Sequence, residues 1–157
     1  VIDALLRPLA YAGIGALVAG DALVPILPSE AGVIAGSAAA GNVAGIALVL
    51  AIAWVGAVVG DVAVHLVGRH LGATRAATWI RRRLPRQREG RGLGLPVVFG
   101  RFLPGGRTAA AFAAGATSMS WRRYLAASAA GGLLWAGYVV AIGRVGGAVG
   151  GGVLAQI

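Results

Sequence analysis

The chain is a succession of long apolar runs separated by short polar, Pro-rich or Arg-rich segments. A helix crosses a bilayer core of about 30 Å with roughly 20 apolar residues, so each run can be tested against that length. Leu9 to Gly20 reaches it when Ala4, Leu5 and Leu6 are added and Arg7 snorkels to the interface, which predicts a first helix over 1–20. A signal peptide is the competing reading, weakened because the basic residue lies inside the segment. From Ala31 to Gly60 there are 30 residues without a charge, more than one span requires, and Gly41-Asn42 is the natural break. A short apolar arm, Ala31 to Ala40, and a full helix over 43–68 follow from that division. Before the arm stands Pro25-Ile26-Leu27-Pro28-Ser29-Glu30, where two prolines forbid a continuous helix. Backbone groups freed there could not be satisfied by hydrocarbon, so residues 21–42 are expected to form a re-entrant hairpin.

Residues 93–120 are interrupted by Arg101, Pro104, Gly105, Gly106 and Arg107, which predicts a second re-entrant hairpin. Trp121-Arg122-Arg123 marks an interface, and Tyr124 to Gly143 is a clean span, giving a helix over 121–144. Residues 145–157 are expected to be a tail or the start of a further helix. Pro28 precedes Arg69 by 41 residues and Pro104 precedes Arg144 by 40, each arginine following a glycine. The chain thus reads as two copies of a hairpin-plus-helix unit, inverted because one span separates them. The expected fold is an all-α polytopic membrane protein, a single transmembrane domain over 1–157. Its two re-entrant helical hairpins face each other among three to four transmembrane helices, as in secondary transporters.

Composition sharpens this picture. Of 157 residues, 58% are hydrophobic and 12% charged, too few charges to cover a soluble surface. The absence of Cys excludes disulfides, thiol catalysis and Cys-ligated metals. The formal charge of +9 would ordinarily suggest nucleic acid. All fourteen cations are Arg, however, and eight of them lie between Arg69 and Arg91. A basic loop over 69–92 between apolar spans is the positive-inside signature of a cytoplasmic segment, so no nucleic-acid partner is expected. The Arg-only usage points to a high-GC bacterium and hence to the bacterial inner membrane.

The charges outside that loop are the functional candidates, because an ionisable group at bilayer depth is kept where it pairs or lines a wet cavity. Asp21 and Glu30 flank the first tip and are candidate proton carriers; Glu30 also suits the first turn of a helix. Arg101 and Arg107 flank the second tip. Their planar forks suit a phosphate headgroup, with Gly105 and Gly106 offering backbone N–H groups, and they would pair with Asp21 and Glu30 if the tips meet. Asp61, His65 and Arg69 recur every four residues on one helix face and read as a polar stripe, with Asp61 its deep charge and a further proton site. His65 and His70 lack a third ligand, so no metal is expected.

These motifs resemble the DedA family of membrane proteins, also called the SNARE-associated or VTT-domain family. The likeness covers about Asp21 to Arg144. Pro28-Ser29-Glu30 is similar to the family's P-G-E, and Gly60-Asp61 with Gly68-Arg69 to G-D-x-x-x-Y-x-x-G-R. The most specific match is Gly100-Arg101-Phe102-Leu103-Pro104-Gly105-Gly106-Arg107-Thr108, similar to G-R-F-x-P-x-x-R-T; Ala114-Gly115, Met119 and Trp135 also fit. Ser29 stands where the family has Gly, Asp21 where Glu is common and His65 where Tyr is common. The resemblance implies functional roles for Asp21, Glu30, Arg101 and Arg107. It also implies movement of a polyprenyl phosphate or other phospholipid between leaflets, coupled to the proton motive force in some members. The expected partners are therefore a membrane lipid and protons, with a homodimer left open, no cofactor and no enzymatic activity. The rival expectation is a proton-coupled small-solute or cation antiporter. A lipid phosphatase would need a nucleophile beside a base, and neither histidine is placed for it.

Overall fold

The computed structural model describes residues 2–24, 26–71, 94–103, 105–117 and 119–154, and the described residues are all helix, turn or connection. The helices are α1 (Ile2–Asp21), α2 (Ser29–Ala39), α3 (Val43–Leu71), α4 (Gly94–Phe99), α5 (Gly106–Ala116) and α6 (Trp121–Leu154). A 3-10 turn, Gly100–Phe102, follows α4. The basic loop expected over 69–92 falls mostly outside the described residues.

Each boundary has a local cause. α1 stops at Asp21 ahead of the Pro-rich segment, and α2 starts directly after Pro28 with Glu30 in its first turn. Asn42 opens α3 by accepting the amide of Gly45 at 2.8 Å, a side-chain cap for an otherwise orphaned donor. Gly105 precedes α5 with φ 69°, a left-handed conformation that costs other residues about 1–2 kcal/mol. The helix expected to close at 144 runs on to Leu154. Arg144 does not stop it because its Nη1 reaches back to the carbonyls of Ser37 (3.4 Å) and Ala40 (3.0 Å), closing the end of α2.

The two halves interlock. α2, from the first half, packs on α6, while α5, from the second, packs on α3. The two long helices run antiparallel: His65 meets Trp121 and Tyr124, whereas Trp54 Nε1 donates to the Ala129 carbonyl at 2.9 Å. One core cluster joins Val18, Val33, Val49, Ala53, Trp135 and Val139; a second joins Ala22, Val64, Val97, Ala111, Met119 and Tyr124. Both draw on each half of the chain.

α3 and residues Trp121–Ala148 of α6 are long and apolar enough to cross a membrane. In α3 only 28% of the most apolar window is buried, unlike the core helix of a soluble domain. Val55, Val59, Leu66, Leu133, Leu134 and Ile142 face outward. An apolar exterior around a polar interior is the arrangement hydrocarbon demands.

Small residues set how closely the helices approach. A Cβ on Gly115 would collide with the backbone carbonyl of His65, which cannot move aside as a side-chain tip can. Gly115→Val should therefore lower the melting temperature in detergent by several degrees, as overpacking by about 1–3 kcal/mol does. Gly13→Ala, where the added carbon meets nothing within 4 Å, should leave it unchanged or slightly higher. Equal melting of the two variants would refute the α3–α5 contact.

Candidate functional site

The site is assembled where the two broken helices meet, about a turn beyond the midpoint of α3. Thr108, in the first turn of α5, donates its hydroxyl to the Ala22 carbonyl at 2.9 Å, tying the second tip to the first. The 3-10 turn carries Arg101 inward, and α5 carries Arg107 alongside it.

Asp61 is the hub. It is 2% exposed and takes Arg107 Nε on Oδ1 at 2.6 Å, with Arg101 Nη2 and the Ser128 hydroxyl (2.6 Å) on Oδ2. Its own carbonyl accepts the Tyr124 hydroxyl at 2.5 Å. Two guanidiniums on one carboxylate leave a surplus positive charge in a buried place, tolerable because further acceptors surround it. Arg107 supplies the clearest case: Nη2 donates to the Ala57 carbonyl at 2.9 Å, and Nη1 to the Val18 carbonyl (3.5 Å) and to Asp21 (3.3 Å). The bond to Asp21 is long and the pair is partly open, so it is the replaceable one. Arg101 is spent less completely. Its Nε and Nη1 are buried and have no hydrogen-bond partner among the described residues.

A cavity of about 500 Å³ lies against these groups. Asp21 and Glu30 line it from the first tip, and Arg101, Gly105, Arg107 and Thr108 from the second. Four charged candidates from the sequence are thus brought to one cavity, although the pairing differs from that expected. Glu30 has no arginine partner among the described residues; the Ser29 hydroxyl donates to it at 3.4 Å, and it is exposed. The expected pair of Arg107 with Asp21 forms at 3.3 Å, but the closer partner of both arginines is Asp61, placed in the sequence as a proton site on a polar stripe. Gly106 does not offer its amide to the cavity, because that N–H donates to the Leu103 carbonyl at 2.9 Å and shapes the tip itself.

Sequence reasoning missed Ser128 and Tyr124, which lie on α6 and reach Asp61 across 67 and 63 residues. No local pattern signals such partners, apart from the rarity of a hydroxyl within an apolar span. The rest of the stripe diverges: His65 is fully buried, stacked on Tyr124 at 3.9 Å between ring centroids, whereas Arg69 is exposed. Among the described residues no group of three His, Cys, Asp or Glu could hold a metal ion.

A family model described as the VTT domain matches residues 27–145. No curated protein and no solved structure matches the chain.

Proposed function

Since the chain belongs to the VTT-domain family, the domain of the DedA or SNARE-associated proteins, we propose that this membrane protein is a lipid translocase of the bacterial inner membrane. Its cargo is a polyprenyl phosphate carrier or another phospholipid, its second partner the proton, and it acts as a transporter rather than as an enzyme. The observation that supports this most is the cavity between the tips, which places two arginines and two carboxylates together in a helical membrane protein.

The chemistry follows from which bonds can be exchanged. A phosphate headgroup entering the cavity replaces Asp21 on Arg107 Nη1, with the buried Arg101 guanidinium adding its charge from behind. Asp61 stays in place and keeps both forks oriented. Glu30 and the displaced Asp21 repel the incoming anion, so entry costs least when protons neutralise them. Proton and headgroup then travel together. Re-entrant hairpins would let the headgroup cross half the bilayer from either side while the hydrocarbon tail stays in lipid.

Leaflet exchange of a labelled polyprenyl phosphate in proteoliposomes, with and without a pH gradient, tests the reading. Exchange should exceed that of empty liposomes and respond to the gradient, and Glu30→Gln should remove the response while leaving exchange itself. No exchange by folded protein refutes it. One observation favours the rival reading, a proton-coupled antiporter of cations or small solutes: both guanidiniums are bound to Asp61, as a purely structural role would require.

A further inference from the structure

We infer that the structure holds a second phosphate-binding cavity, built on Arg69 at the end of the bundle where α3 finishes and α6 begins. The two copies of the hairpin-plus-helix unit expected from the sequence supply the comparison. Gly68-Arg69 and Gly143-Arg144 are equivalent pairs, and each glycine packs on the second arm of the opposite half, Gly68 against Phe112 and Gly143 against Ile34. The arginines nevertheless do different work. Arg144 is spent on the carbonyls at the end of α2. Arg69 makes no hydrogen bond or ion pair among the described residues. The corresponding end of α5 is closed without it, by Thr117: its amide donates to the Ala113 carbonyl at 3.0 Å and its hydroxyl to the Ala114 carbonyl at 3.3 Å.

The guanidinium released from capping lines a cavity of about 500 Å³ together with Thr117, Ser120 and Trp121. Its chemistry is that of an anion site at a membrane surface. The fork of Arg69 matches phosphate oxygens, the Ser120 hydroxyl can donate beside it, and the positive end of the 34-residue α6 dipole points the same way. Trp121 is 38% exposed at the end of a spanning helix, where indole favours the headgroup level. In contrast to the cavity between the tips, no acid among the described residues lines this one. It takes a phosphate without a proton, whereas the central cavity takes both. Its role as a waiting position for the lipid rests on the translocase reading, but the binding itself does not.

Calorimetric titration of inorganic phosphate into the full chain in phosphatidylcholine nanodiscs tests the site. Arg69→Gln should weaken one binding event by at least about tenfold, the loss of one charge-assisted contact. Arg69→Lys, retaining the charge without the fork, should fall between. A parallel titration in discs containing phosphatidic acid separates the sources: a raised apparent Kd means that the lipid headgroup competes for the site, and an unchanged one means that the site serves soluble phosphate. Titration of folded Arg69→Gln indistinguishable from the parent, or loss of the same event in Arg107→Gln, overturns the proposal. Failed lipid exchange with this binding intact would count against the translocase alone.

Discussion

Asp61→Ala should be the most damaging single substitution in the protein. Arg101 would lose its only hydrogen-bond partner among the described residues, Arg107 would lose its 2.6 Å contact, and the Ser128 hydroxyl would lose its acceptor. Breaking a buried ion pair by removing one partner costs about 3–5 kcal/mol, because the charge left behind is uncompensated. Here two guanidiniums are left behind. Melting in detergent should fall by roughly 10 °C or more, with loss of monodisperse protein on size exclusion. Asp61→Asn keeps an acceptor oxygen but not the charge, and should be less severe than Ala. Equal stability of Asp61→Ala and the parent would show that Asp61 is not the counter-ion holding the site together.

Arg107→Lys should separate transport from folding. An ammonium can neutralise Asp61, but it cannot span the Asp61 carboxylate, the Ala57 carbonyl and Asp21 at once, as the fork does. The fold should therefore survive better than in Asp61→Ala. Lipid exchange should fall by about 10- to 100-fold, the worth of one or two lost charge-assisted contacts to the headgroup. Exchange within a factor of two of the parent would assign Arg107 a structural role and favour the antiporter.

The broken helices were legible because their cause is local: Pro28 and Gly105 act on their own backbone, and Asn42 on an amide three residues away. The family motif likewise singled out Asp21, Glu30, Arg101 and Arg107 as a set. What the sequence could not disclose was which acid meets which arginine. Asp61 lies 40 residues from Arg101 and 46 from Arg107, and only the crossing of α3 with the second tip brings them into contact. The end of the last helix misled for a related reason. An arginine after a clean span reads as an interface, but Arg144 finds its acceptors in α2, 107 residues earlier for Ser37.

The interlocked halves bear on how the chain is made. As the first half leaves the ribosome, α2 has no α6 to lie on and α3 has no α5, and Asp61 enters the bilayer without either arginine. Asp21 and Asp61 must therefore wait, unmatched, until the second half has been added beside the first. A chain that stalls between the halves exposes polar groups to lipid, the kind of intermediate that membrane chaperones and proteases recognise. Biogenesis of this protein is accordingly a single late closure, in which the contact that builds the charged cluster around Asp61 also completes the fold.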